Sequence, residues 1–171
     1  MFLRHGLPGL VLAGICLWLP AAQAPIASTA ALLLAESLRY VGLFAIAALL
    51  LAAHSRWRVG RWDPATLAWV GYLGLLSAWE EWAFRAVLPY ALADLGMQTL
   101  TALIAVNVLF GALHYVTLRW RWQWCVGAAL GGLALSRHFQ NHGDFLMLVL
   151  FHWLGTTLNT PRPPGDATSS P

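Results

Sequence analysis

Hydrophobic residues run along this chain in long stretches that polar segments interrupt only briefly. Each stretch is long enough to form a helix, and together they predict six helical spans. The predicted spans are residues 7–22, 28–53, 65–92, 98–117, 122–136 and 144–158. The third is too long for one upright helix, so we expect it to tilt or to contain a separate tilted segment. The pattern predicts an all-α fold, a polytopic helical bundle.

Composition places this bundle in a membrane. Hydrophobic residues make up 59% of the chain and charged residues only 10%, whereas soluble domains average about 25% charged residues. The net charge of +3 is small and dispersed, which argues against nucleic acid as a partner. We therefore expect a single transmembrane domain over residues 1–160 with about six transmembrane helices. Residues 161–171 are rich in Pro, Ser and Thr and predict a disordered tail.

Arginines alternate between the segments that join the spans. Arg56, Arg58 and Arg61 follow the second span, and Arg119 and Arg121 follow the fourth, while the intervening segments carry fewer basic residues. Cytoplasmic loops are enriched in basic residues. The alternation predicts a multi-pass membrane protein with both termini in the cytoplasm.

The first apolar stretch has two interpretations. It ends near Ala22-Gln23-Ala24, which fits the cleavage site of a secretory signal. Pro25 directly after this site is a poor context for cleavage, so we expect the stretch to be retained as the first helix. His5 and His54 lie in flanking segments, and we assign them no specific role.

A charged cluster interrupts the third span at Glu80, Glu81 and Arg85. Ionisable groups at membrane depth each cost about 2.5–3.5 kcal/mol on insertion scales, so they face the interior of a bundle and mark function. Glu81 and Arg85 are four residues apart and can pair on one helix face. Glu80 is turned about 100° away from that face, which leaves it freer to act as a general base.

Two later spans each contribute a histidine. His114 shares one face of the fourth span with Asn107, Phe110 and Gly111, and the small glycine favours close helix packing beside a polar cavity. His152 lies in the sixth span. Two carboxylates and two imidazoles in otherwise apolar helices predict one shared site.

This inventory favours water-mediated hydrolysis. The sequence has no G-x-S-x-G or H-E-x-x-H motif. A glutamate with histidines can deprotonate water, and histidines can stabilise the oxyanion formed when that water attacks an amide. Alternatively Glu80, His114 and His152 bind a divalent metal such as zinc that activates the water. Spacing alone does not separate these two mechanisms, although we favour a mechanism without a cofactor.

Three motifs resemble those of the CPBP family of intramembrane proteases, which includes the CAAX prenyl endopeptidases and the Abi proteins. Residues 80–85 resemble its EExxxR motif, residues 110–114 its FxxxH motif, and His152 the histidine of its last motif, HxxxN/D. The resemblance covers residues 77–159. It implies a membrane helical bundle in which Glu80 activates water, Glu81 holds Arg85, and the two histidines position water or stabilise the oxyanion.

The chain departs from the family pattern at one position. Thr156 stands four residues after His152, where the family has Asn or Asp. Threonine still donates a hydrogen bond but has a shorter reach, and Asn107 or Asn159 is a hypothetical substitute. The short chain is similar to compact bacterial members that process C-terminal sorting signals of surface proteins. The resemblance thus implies a membrane-protein or lipid-anchored peptide substrate, with the bilayer of a bacterial inner membrane as surroundings.

Two other classes remain open on the sequence. A haem-binding membrane cytochrome would use His114 and His152 as axial ligands. A non-catalytic immunity or scaffold protein of the same lineage would keep the fold without cleavage. The sequence does not indicate the oligomeric state.

Overall fold

The structure is a computed structural model that describes residues 2–60 and 63–160. The predicted disordered tail, Arg61 and Arg162 lie outside the described residues. Within them the chain forms helices and no strand, which confirms the all-α prediction. The α-helices are α1 (Leu7–Cys16), α2 (Gln23–Val59), α3 (Pro64–Glu81), α4 (Leu88–Asp94), α5 (Thr99–Leu118), α6 (Trp122–His142) and α7 (Phe145–Asn159). Two π-helical stretches accompany them: the N-terminal π segment (Phe2–Gly6) and the central π segment (Trp82–Val87).

Local sequence signals set several helix ends. The side chain of Asp63 caps α3 by accepting a hydrogen bond from the Ala65 amide, and Pro64 occupies the first turn. The side chain of Asp144 caps α7 in the same way through the Met147 amide. Gly60 and Gly143 end α2 and α6 with positive φ angles, which glycine adopts without steric cost.

Each predicted span contains a helix, but the first and the third differ in form from the prediction. The first is short, and the 3₁₀ turn Pro20–Ala22 follows it. The third is not one regular helix, because the central π segment separates α3 from α4. The sixth predicted span corresponds closely to α7.

The helix α2 is longer than predicted and is kinked. At about 1.5 Å per residue, its 37 residues exceed the thickness of about 30 Å of a hydrocarbon core. The backbone at Glu36 leaves helical geometry (φ −131°, ψ 30°), and the Glu36 side chain pairs with Arg39. Leu34 and Leu38 beside the kink are each 87% exposed, as expected for side chains that face lipid.

Two apolar clusters hold the helices together. One joins α1, the central π segment and α5 through side chains that include Cys16, Phe84 and Phe110. The other joins α2, α3 and α7 through side chains that include Leu73 and Trp153. Glu80 and Glu81 lie in the sequence between Leu76 of the second cluster and Ala83 of the first.

Two of the described helices, Pro20–Val59 and Thr99–Leu118, are long and apolar enough to cross a membrane by length and composition. Shorter apolar helices span Phe2–Cys16 and Phe145–Asn159. The helices support a membrane protein, while the six-span topology and the cytoplasmic termini stay predictions.

Candidate active site

Glu80 and Glu81 lie at the point where the helical geometry changes. They end α3, and the central π segment that follows contains Arg85. A π-helical turn widens the helix and is frequent at functional sites. All three side chains are buried, so this local geometry places charge inside the bundle.

Glu81 and Arg85 form a fully enclosed pair. Glu81 is 0% exposed and Arg85 1%, and their nearest oxygen and nitrogen atoms are 3.3 Å apart, as the spacing of four residues predicts. The Arg85 guanidinium also lies over the ring of Phe110, 3.9 Å from the ring centre. A cation on an aromatic face is stabilised by the ring quadrupole. Glu81 is therefore held by a fixed positive charge.

His152 of α7 joins the two carboxylates. Its Nδ1 lies 2.6 Å from Oε1 of Glu81, and its Nε2 lies 3.5 Å from Oε2 of Glu80. Because Glu81 also contacts Arg85, the first of these contacts fixes the orientation of the imidazole. The second places a ring nitrogen beside the carboxylate that Arg85 does not hold.

Glu80 faces a different environment from Glu81. Its Oε1 lies 2.7 Å from Nε2 of His5, in the N-terminal π segment. It also lines a cavity of about 180 Å³ between that segment, α1 and α5. A cavity of this size holds several water molecules. The geometry thus gives Glu80 access to water, whereas Glu81 is enclosed by its pairing with Arg85.

His114 of α5 presents one ring nitrogen to the same cavity. Its Nδ1 donates to the carbonyl oxygen of Phe110 at 2.8 Å, so in the neutral ring Nε2 is the acceptor. The rings of Phe110, Trp120 and His5 lie 4.4, 4.8 and 5.0 Å away between centres. These contacts hold the imidazole in one orientation.

Asn107 lies on the other side of this assembly. Its amide nitrogen donates to the Leu103 carbonyl oxygen at 2.8 Å and to the Ser136 hydroxyl at 2.9 Å. Both N–H groups are thus engaged. A Cβ at Gly132 would clash with both Asn107 and Arg85. The structure therefore places Asn107 beside Arg85 and gives it no free donor.

The two remaining polar candidates lie on α7. Thr156 is half-buried, one turn after His152. Asn159 is exposed, and its amide donates to the Gly155 carbonyl oxygen at 2.8 Å. Asn159 therefore binds its own helix at the bundle surface.

Our sequence interpretation missed His5 and Thr117. Assigning no specific role to His5 was wrong about its placement, because His5 is buried and contacts Glu80 directly. Nothing near His5 in the sequence marks this long-range contact. Thr117 had a usable signal, because it lies three residues after His114 and thus on the same helix face.

Three potential metal ligands approach one another at this cavity. One ligand atom each from His5, Glu80 and His114 lies within 4.8 Å of the others. This set contains His5 in place of the predicted His152, whose two ring nitrogens face the glutamates. Two imidazoles and a carboxylate fit zinc, and the bond from His114 Nδ1 to a carbonyl is typical of a metal-binding histidine.

Comparison with known proteins supports the resemblance seen in the motifs. The family model for type II CAAX prenyl endopeptidase Rce1-like proteins matches residues 61–158, more than half of the chain. The match contains Glu80, Glu81, Arg85, His114 and His152, and it begins after α2. Neither the curated proteins nor the solved structures gave a match to the chain.

Proposed function

Because the chain belongs to the Rce1-like family of type II CAAX prenyl endopeptidases, we propose that it is an intramembrane endopeptidase of the glutamic type. The family implies a protease. The observation that carries the catalytic assignment is that Glu80 and His114 line one cavity with room for water. A carboxylate and an imidazole on a common water are the groups that general-base hydrolysis requires.

Glu80 is the base in this proposal. It takes a proton from a water molecule that Nε2 of His114 holds by accepting its second hydrogen. The water oxygen bonds to the peptide carbonyl carbon, and the carbonyl oxygen takes up the negative charge. As the carbon–nitrogen bond breaks, Glu80 passes its proton to the departing amine, and the new carboxyl group leaves the site.

His152 and Glu81 complete the machinery. Glu81, held by Arg85, orients His152, whose Nε2 lies near Glu80. Because Nδ1 of His152 donates to Glu81, we assign Nε2 of His152 in its imidazolium form to stabilising the oxyanion, with the Thr156 hydroxyl as a second donor from the next turn of α7. Phe110 supports both sides, because its ring contacts Arg85 and His114.

The substrates we propose are C-terminal signals of membrane-anchored or lipid-anchored proteins. The cavity wall is mainly apolar, with Pro8, Leu12, Phe84 and Leu113 beside Glu80. An apolar wall accepts an extended hydrophobic peptide from the bilayer more readily than a charged one. The location we propose is a bacterial inner membrane, with several spans and both termini cytoplasmic.

The test uses purified protein in lipid nanodiscs and two quenched fluorescent probes. One probe is a C-terminal peptide with a hydrophobic stretch followed by arginines, and the other is a farnesylated CAAX peptide. We expect cleavage of the first probe, with the cut located by mass spectrometry. Glu80→Gln should lower the rate by about 10²–10⁴-fold, because it removes the base while keeping the shape.

Glu36→Gln is the matched control, because Glu36 pairs with Arg39 at an exposed position far along α2. It should cleave as the wild type does. Cleavage of the farnesylated probe alone would overturn the substrate class. A Glu80→Gln protein that cleaves normally would overturn the mechanism, and failure of the wild type on both probes would favour a non-catalytic protein of this lineage.

A metal-dependent mechanism is the second candidate, favoured by the approach of His5, Glu80 and His114. These residues would hold zinc, which would supply a Lewis acid beside the cavity. Treatment with 1,10-phenanthroline separates the candidates: the glutamic mechanism expects an unchanged rate, and the metal mechanism expects a loss that added zinc restores. Haem is not favoured, since both nitrogens of His152 already face carboxylates.

A further inference from the structure

The N-terminal π segment brings a side chain to the candidate site from outside the region that matches the family. His5 precedes the start of that match at residue 61 by more than fifty positions. It is 8% exposed, and its Nε2 lies 2.7 Å from Oε1 of Glu80. Of the two imidazole contacts to the Glu80 carboxylate among the described residues, this is the shorter one.

A chain of hydrogen bonds fixes the His5 ring. The Thr117 hydroxyl donates its one proton to the Leu113 carbonyl oxygen at 2.6 Å. The same hydroxyl oxygen lies 2.7 Å from Nδ1 of His5, so it accepts a hydrogen bond that Nδ1 donates. The ring cannot turn over without losing this bond, and Nε2 is therefore directed at Glu80. Because Nδ1 already carries a hydrogen, Nε2 donates to the Glu80 carboxylate in the imidazolium form of His5, in which both ring nitrogens carry one.

Packing holds the segment in register with the site. A Cβ at Gly6 would clash with the Tyr72 hydroxyl, and one at Gly9 would come within 3.2 Å of the Trp79 ring nitrogen. Phe2 packs edge-on against Tyr72, with ring centres 6.1 Å apart. Gly6 of this segment and Gly9 of α1 thus let the N-terminal helices approach α3 closely enough for His5 to reach Glu80.

We propose that His5 is a positioning residue that holds one oxygen of the Glu80 carboxylate and leaves the other for water. The bond from His5 occupies Oε1, while Oε2 faces His152. A carboxylate held through one oxygen cannot rotate away from the bound water, and small errors in such geometry cost large factors in rate. This proposal rests on the proposed function of Glu80.

Substitutions at position 5 separate positioning from packing. The amide of glutamine reaches the place of Nε2, whereas the amide of asparagine reaches only the place of Nδ1. We expect His5→Gln to retain much of the wild-type kcat on the sorting-signal probe. His5→Asn and His5→Ala should each lower kcat by about 10- to 100-fold without changing KM.

Thr117 acts only through His5 in this proposal. Thr117→Val should therefore lower kcat by less than His5→Ala, and the double variant should equal His5→Ala. The matched controls are His54→Gln, which alters a histidine in α2, and Thr157→Val, which alters a buried threonine whose hydroxyl has no partner within the described residues. Both controls should keep the wild-type kcat. An equal loss of kcat in His5→Gln and His5→Asn would overturn the positioning role. Additive losses of kcat in the double variant of Thr117→Val and His5→Ala would overturn it as well.

A measurement without substrate tests the contact itself. In protein labelled with ¹⁵N-histidine, the signals lost in His5→Gln identify the His5 ring. We expect Glu80→Gln and Thr117→Val each to shift those signals and to leave those of His54 in place. Unshifted His5 signals, or a purified chain that mass spectrometry finds to begin after His5, would overturn the proposal. If the wild type cleaves neither probe, the proposed function fails by itself and these signals still decide whether His5 holds Glu80.

Discussion

The two adjacent glutamates of α3 lie in opposite environments. Glu81 is enclosed by Arg85 and His152, and the Arg85 guanidinium is in turn covered by Phe110. Glu80 is also buried, but it contacts two imidazoles and lines the cavity. One residue of rotation along the helix is enough to separate the two environments.

This difference shows how a helical bundle accommodates two adjacent buried carboxylates. Burial of a lone charge is costly, and a fixed counter-charge at close range offsets the cost. Glu81 has such a counter-charge in Arg85. Glu80 has imidazoles instead, whose positive charge depends on protonation and is not permanent like that of Arg85. We infer that Glu81 builds the site and Glu80 performs the chemistry.

The largest expected effect lies on the cavity side, at His114. Asparagine at this position keeps the hydrogen bond to the Phe110 carbonyl oxygen but removes Nε2 from the cavity. His114→Asn should lower the cleavage rate by about 10²–10⁴-fold, because the proposed water loses its second partner. Its thermal midpoint in detergent should stay close to that of the wild type. A large fall in the thermal midpoint would show that His114 supports the fold and not only the proposed chemistry.

At Glu81 we expect the main effect on stability. Glu81→Gln leaves the buried Arg85 without its counter-charge, which should lower the free energy of unfolding by about 3–5 kcal/mol. Titration with a denaturing detergent in mixed micelles measures this loss. Glu36→Gln is the control, because its exposed pair with Arg39 should contribute at most about 1 kcal/mol. Equal losses in the two variants would refute a structural role for Glu81.

The sequence predicted the contacts of Glu81 better than those of Glu80. The pair with Arg85 follows from a spacing of four residues on one helix, which is a local property. The shared helix face of Phe110 and His114 likewise follows from a spacing of four residues. The motifs add the order of the helices, so the approach of His152 could be expected from the family resemblance.

The contact of His5 with Glu80 could not be predicted in this way. It joins two residues that are far apart in the sequence, and it depends on close approach at Gly6 and Gly9. Tertiary packing sets such contacts. The pattern of apolar residues does not tell which residues of two distant helices will lie opposite each other. The π-helical geometry of the central segment was equally hidden, because no local residue signal marks it.

Gly132 of α6 offers a sharper test of the packing around the pair of Glu81 and Arg85. A Cβ at this position would clash with the Arg85 guanidinium and the Asn107 side chain. Gly132→Ala should therefore destabilise the protein by about 1–3 kcal/mol, as overpacking does. Gly131→Ala is the matched control, since a Cβ there meets no atom within 4 Å. The control should gain about 0.5–1 kcal/mol from its higher helix propensity, and the same sign in both variants would contradict the packing seen around Arg85.

The smallest expected effect is at Ser136, which accepts a hydrogen bond from Asn107 at 2.9 Å. Ser136→Ala leaves one N–H of Asn107 without its partner in the bundle, which should cost about 1–3 kcal/mol, toward the lower end because Asn107 keeps its bond to Leu103. Ser55→Ala is the control, because the Ser55 hydroxyl is equally buried but has no partner in the described part of the chain. Removing a buried hydroxyl that makes no bond should be neutral or stabilising. Unfolding of both variants in the same mixed micelles measures the difference, and an equal loss in both would show that burial of the hydroxyl, and not its bond to Asn107, supports the enclosed side.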